Sequence, residues 1–127
     1  MAKILSIDDD PDLQDMIDMA LSGRGHQIER AFTGEEGFEK AKAGKPELIL
    51  LDLMLPTLNG LEVLKLLKAD EDLKDIPVIV VSAFYGEGQF TERSIRALGV
   101  KEFLQKPVRL EELATLIACA LRVGQGA

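Results

Sequence analysis

A single cysteine, Cys119, and a single histidine, His26, occur in 127 residues. One thiol can close no intramolecular disulfide and supports no zinc cluster, so the fold is expected to need no oxidising compartment. Cys119 reads as a small, apolar helix residue rather than a reactive thiol. Long hydrophobic runs are also missing. The N-terminal stretch Met1-Ala2-Lys3-Ile4-Leu5-Ser6-Ile7 ends at Asp8-Asp9-Asp10, too soon for a signal sequence, and no run approaches a bilayer span. A cytoplasmic protein is the expectation. Positive charge is in deficit: Lys+Arg number 15 against 22 Asp+Glu, a formal charge of −7. That balance argues against direct binding to nucleic acid or to an anionic membrane. No repeat, low-complexity segment, Gly-rich phosphate loop, Ser-His-Asp order or nucleic-acid-binding motif is found.

What remains suits one globular domain, with 46% hydrophobic and 29% charged residues. Lys3 to Ile7, Glu47 to Leu51 and Pro77 to Val81 are short aliphatic runs, as expected of parallel strands buried on both faces. Weaker strands are expected at Gln27 to Ala31 and Glu102 to Leu104. Helical spacing appears in Leu13, Ile17 and Leu21, in Leu61, Leu64 and Leu67, and in Leu110, Leu113, Ile117 and Leu121. Two more helices are expected from Gly34 to Ala43 and from Phe90 to Leu98. The pattern predicts five β/α units, an α/β sheet covered by helices on both faces. Residues 1–122 form the domain, and 123–127 read as a flexible tail or the edge of a longer protein.

The chemistry stands directly after the strands, where open α/β sheets place their ligand crevice. The first strand ends in Asp8-Asp9-Asp10, the third in Asp52, the fourth in Ser82 and the fifth in Gln105-Lys106-Pro107. Clustered carboxylates repel, and a hard cation relieves them at neutral pH. Magnesium fits best, because no soft ligand competes and it leaves positions for water or phosphate oxygens. A lysine and a hydroxyl opposite the metal can hold other phosphoryl oxygens, and a carboxylate between them can act as nucleophile. Other readings of the acids are weaker. Asp8, Asp10 and Asp12 open like a calcium loop, but Leu13 stands where glycine is required and Met19 where an acid is required. Asp10 with Pro11 suits a helix cap, which leaves Asp8 and Asp9 unexplained. A magnesium phosphatase of the Asp-x-Asp-x-Thr type would need a threonine where Asp12 stands.

Ile4 to Pro11, Leu50 to Gly60, Val80 to Ala83 and Lys106-Pro107, in this order and spacing, resemble the receiver domain of two-component response regulators, a likeness spanning Lys3 to about Arg122. The resemblance implies a flavodoxin-like (βα)5 fold, with a doubly wound parallel sheet in strand order 2-1-3-4-5. It implies that Asp52 is the phosphoacceptor, taking a phosphoryl group from the histidine of a sensor kinase or phosphotransfer protein. Asp9 would bind Mg2+ directly, Asp8 would hold metal-bound water, and the Met54 backbone carbonyl would be a further ligand beside Asp52. Ser82 and Lys106 would bond phosphoryl oxygens, the Lys106-Pro107 peptide would be cis, and Phe103 would be the switch aromatic. The outcome would be a phosphoprotein signalling switch rather than an enzyme in the ordinary sense. Phosphorylation would shift a two-state equilibrium and alter the surface of the fourth helix, fifth strand and fifth helix, which a downstream output protein or a second copy of the chain reads. About 5.5 kcal/mol of differential interaction would swing such an equilibrium from 1:99 to 99:1.

The stretch from Ser82 to Lys106 is about two residues longer than in common receivers, and Phe84-Tyr85-Gly86-Glu87-Gly88-Gln89-Phe90 is rich in glycine and aromatics. A plain solvated connection is favoured slightly over a partner contact or an altered access of water to the acyl phosphate. Met54 and Phe84 occupy positions that tune phosphate loss in the family, so slow dephosphorylation is expected. His26 reads as a surface residue, because a phosphotransfer histidine belongs on a four-helix bundle. Arg93 and Arg96 read as a solvated helix face. The alternative function is a phosphorylation-independent interaction module, against which the complete set Asp8, Asp9, Asp52, Ser82 and Lys106 argues.

Overall fold

In the computed structural model, which describes residues 2–83 and 92–126, the five short apolar runs become parallel strands. They are β1 (Lys3–Ile7), β2 (Gln27–Ala31), β3 (Leu48–Leu51), β4 (Val78–Ser82) and β5 (Glu102–Gln105). The helices are α1 (Pro11–Ser22), α2 (Gly34–Gly44), α3 (Gly60–Ala69), α4 (Glu92–Arg96) and α5 (Leu110–Gly126). The sheet order is β2-β1-β3-β4-β5, as the resemblance implies. In register, Ile7 lies beside Ala31 and Leu51, Leu51 beside Val80, and Ser82 beside Gln105. The carboxyl ends of the strands therefore share one rim.

Burial explains why the strands differ in composition. Every residue of β3 and β4 is buried, whereas edge strand β2 alternates exposed and partly buried positions before Ala31. Alternation along the central strands divides the core into two layers. Leu5, Ile7, Ile49, Leu51, Val78 and Val80 pack with Val63, Leu64 and Leu67 of α3 on one face. Ile4, Leu48, Leu50, Ile79 and Val81 pack with Ile17 and Leu21 of α1 and with Leu113 and Ile117 of α5 on the other.

Local chemistry starts and stops the helices. Asp10 caps α1, its side chain accepting hydrogen bonds from the N–H groups of Asp12 and Leu13 at 3.0 and 3.3 Å, with Pro11 in the first turn. Thr33 caps α2, and Asn59 with Glu62 forms a capping box on α3. Strand boundaries move by a residue for backbone reasons. Pro77 accepts a hydrogen bond from the Ile49 N–H but has none to give, so β4 begins at Val78. The helix α5 continues to Gly126, into the stretch read from sequence as tail. Phe84 to Phe90, the long loop of the sequence reading, lies outside the described residues. No helix among the described residues is long and apolar enough to cross a membrane.

Candidate functional site

The rim gathers residues from four separate segments. Asp8 and Asp9 follow β1, Asp52 follows β3, Ser82 ends β4 and Lys106 follows β5. Asp8 and Asp52 are each only 3% exposed and Ser82 is fully buried, while Asp9 faces solvent. Carboxylate oxygens of Asp8, Asp9 and Asp52 all lie within 4.8 Å of one another. The Lys106 ammonium bridges two of these acids, 2.9 Å from Asp8 Oδ2 and 3.0 Å from Asp52 Oδ2. One cation thus faces three carboxyl groups, which leaves the cluster electron-rich and short of positive charge.

The electrostatics follow from that crowding. Burial pushes the Asp8 carboxyl above its ordinary value, and the neighbouring Asp52 charge adds to the shift. Hydrogen bonds from Lys106 and from the Asp10 amide oppose it without cancelling it. For Lys106, burial alone would lower the ammonium. Its hydrogen bonds and attraction to Asp8 and Asp52 outweigh that and hold it above the usual lysine range. The donor set consists of oxygen atoms alone, and a hard divalent cation such as Mg2+ fits both the charge and the chemistry.

Backbone geometry holds these side chains in place. The Met54 N–H donates to Asp52 Oδ1 at 3.0 Å, fixing the carboxylate from its own loop. That loop returns tightly: the Gly60 N–H donates to the Leu53 carbonyl at 3.0 Å, and a Cβ on Gly60 would collide with the Asp52 carbonyl. Only glycine permits the start of α3 to approach the third strand so closely. Thr57 adopts a left-handed φ of 57°, unusual for a β-branched residue, and its hydroxyl donates to the Glu35 carboxylate on α2 at 3.0 Å. On the far side, the Lys106 N–H donates to the Ser82 carbonyl at 2.9 Å, tying the lysine to the end of β4. The Lys106-Pro107 peptide is cis. Phe103 is half-buried in β5 and packs against the core layer that holds α3. Met54, expected to contribute only its carbonyl, leaves its side chain about half exposed.

The other singled-out residues stand apart from the rim. The half-buried His26 accepts a hydrogen bond from the Ala2 N–H at its Nδ1, and burial lowers its pKa. Cys119 is exposed on α5. One rim residue escapes a reading based on strand ends. Gln14 on α1 is fully buried, and its side-chain amide reaches the carbonyl oxygens of Ser6, Asp8 and Ala31. The available signal is its position, three residues before Ile17 and seven before Leu21, on the stripe of α1 that should be apolar.

Comparisons with known proteins converge on one family. The model of the response regulator receiver domain matches residues 4–118. The chain is 36% identical over 124 residues to the DNA-binding dual master transcriptional regulator RpaA of Synechocystis sp., covering 96% of this chain and 50% of that protein. It is 34% identical over 122 residues to Protein PilH of Pseudomonas aeruginosa, covering 95% of this chain and 98% of that protein. Among solved structures, chemotaxis protein CheY4 of Vibrio cholerae matches with a TM-score of 0.85 at 25% identity, over 94% of this chain and 98% of that one. The chain spans about half the length of several curated relatives it matches.

Proposed function

Because the chain belongs to the response regulator receiver domain family, we propose that residues 1–122 act as a phosphorylation-controlled switch with Asp52 as phosphoacceptor. The donor is a phosphohistidine on a sensor kinase or a histidine phosphotransfer protein, met in the cytoplasm. An oxygen of the Asp52 carboxylate attacks phosphorus and forms the acyl phosphate bond. The P–N bond to the donor imidazole breaks, and its electron pair leaves with the imidazole. Phosphorylation removes charge from the Asp52 carboxylate oxygen and puts phosphoryl oxygens in its place. The Lys106 ammonium, which lies 3.0 Å from that carboxylate, turns to one of these oxygens, and the Ser82 hydroxyl donates to another. Asp8, Asp9, Asp52 and the Met54 carbonyl would hold Mg2+, which would supply positive charge against the phosphoryl oxygens.

The readout is a population shift. Movement of Ser82 toward the phosphoryl group frees space that Phe103 fills, which changes the face built from α4, β5 and α5. An output protein, an attached output domain or a second copy of the chain reads that face. The domain catalyses only its own phosphorylation and dephosphorylation.

The observation that carries this reading is the convergence of Asp8, Asp9, Asp52 and Lys106 from separate strand ends, with Lys106 bridging two carboxylates at 2.9 and 3.0 Å. Intact-protein mass after incubation with acetyl phosphate, with and without Mg2+, tests it. The expected result is one phosphoryl adduct that needs Mg2+ and is absent from Asp52→Asn. If neither that adduct nor a beryllofluoride complex forms in the wild type, the phosphoacceptor reading fails and a phosphorylation-independent interaction module replaces it.

A further inference from the structure

Gln14 is an uncomfortable residue for a core. It is fully buried, and its Oε1 is the one buried side-chain nitrogen or oxygen among the described residues without a hydrogen-bond partner. An orphaned acceptor of this kind is destabilising, so packing alone would favour an aliphatic side chain of similar volume. The other end of the amide explains its presence. Nε2 lies 2.9 Å from the Ser6 carbonyl, 3.1 Å from the Asp8 carbonyl and 3.1 Å from the Ala31 carbonyl.

The Asp8 bond is the consequential one. Strand β1 ends at Ile7, and the register with β3 stops at Leu51. Asp8 therefore stands just beyond the ladder, where its N–H still reaches the Ala31 carbonyl at 3.0 Å. Its carbonyl belongs to the same planar peptide unit as the Asp9 N–H. By binding that carbonyl, Gln14 sets the plane of the peptide between the two acidic residues and so the directions in which both carboxylates leave the backbone. The Asp8 side chain is then completed by the Asp10 N–H at 2.9 Å and by Lys106.

We infer that Gln14 is a positioning residue for the acidic pair, acting on Mg2+ affinity through the Asp8–Asp9 peptide. The inference rests on the reading of Asp8 and Asp9 as metal holders. Groups that orient metal ligands typically change metal affinity by about 10- to 100-fold when removed.

The decisive variant is Gln14→Met, which keeps the volume and removes the amide. Its Mg2+ dissociation constant, measured by titration calorimetry, should rise about tenfold. The rate of adduct formation with acetyl phosphate should return to the wild-type value at saturating Mg2+. An unchanged dissociation constant overturns the inference. So does an adduct rate that stays low at every Mg2+ concentration, because that is the signature of general structural damage. A second measurement needs no variant: in the wild type, the side-chain amide resonances of Gln14 should move on Mg2+ addition, and their failure to move also overturns the inference. A wild type that binds Mg2+ but forms neither the adduct nor a beryllofluoride complex defeats the phosphoacceptor reading alone, and the Gln14→Met dissociation constant still decides the role of Gln14.

Discussion

The two ends of the sheet solve the same electrostatic problem in opposite ways. At the carboxyl ends of the strands, polar and charged groups are taken out of water: Ser6, Asp8, Gln14, Asp52 and Ser82 are the buried polar side chains among the described residues. At the other end, no charged side chain among the described residues is buried outright. Lys42 at the end of α2 pairs with Asp70 after α3 at 2.8 Å, the lysine side chain half exposed and the aspartate partly covered. Folding does not need the buried arrangement, since desolvating a carboxylate costs free energy that a single lysine only partly returns. Exposed pairs cost and contribute little. The asymmetry supports the proposed placement of the chemistry at the carboxyl ends of the strands.

The strongest way to break the contrast is to remove the shared cation. Lys106→Met leaves Asp8 and Asp52 facing each other without compensation, and because the lysine is partly exposed, metal-free stability at pH 7 should fall by about 3 kcal/mol, the low end for a broken buried pair. Saturating Mg2+ should recover most of the loss, because it supplies the missing charge. Urea denaturation with and without Mg2+ measures both. A variant that is more stable than the wild type in the absence of metal would show that the bridge does not hold the rim together.

A change of opposite sign sharpens the same point. The Asp8 carboxyl is raised above its ordinary value of 3.8, chiefly by burial, so the folded state holds that proton more tightly than the unfolded chain. Wild-type stability should then fall as pH rises from about 3.8 through the folded value, and at neutral pH the penalty is fully present. Asp8→Asn keeps an acceptor for the Asp10 N–H and removes the penalty. Its metal-free stability should exceed that of the wild type by about 1 kcal/mol at pH 7, with the difference vanishing well below pH 4. The same substitution should weaken Mg2+ binding. Equal stability of the two proteins at pH 7 would mean that burial of Asp8 carries no net cost.

How legible each part was depends on whether the side chain itself carries the signal. The strands read well because β3 and β4 are buried on both faces, which leaves an uninterrupted aliphatic run. Asp8, Asp52 and Ser82 were legible because each stands at the carboxyl end of an aliphatic run, and Lys106 because it stands with Pro107 directly after the weaker strand β5. Two features were not. Gln14 acts on backbone carbonyls, which every residue has, so only its polarity on an apolar stripe betrays it. The left-handed Thr57 was hidden because threonine ordinarily avoids that region, and its hydrogen bond to Glu35 spans elements that the sequence separates by 22 residues. Strand boundaries shifted where a hydrogen-bonding capacity, not hydrophobicity, decides, as Pro77 illustrates.

The far end of the sheet should answer with the smallest effect. The Asp70 carboxyl is held below its ordinary value, first by its hydrogen bond to Lys42 and then by the Asp72 amide. The folded state therefore releases that proton more readily, and the pair contributes stability above about pH 3.8 that is lost as pH falls through the folded value. Lys42 reaches Asp70 from a solvated position, where water and salt screen the attraction. Lys42→Ala should leave the urea midpoint at pH 7 and physiological salt within experimental error of the wild type. Mg2+ affinity and adduct formation should be unchanged, because nothing in the pair touches the rim. A drop in stability rivalling that of Lys106→Met would remove the distinction between the two ends, since it would make a wet ion pair as consequential as a buried one.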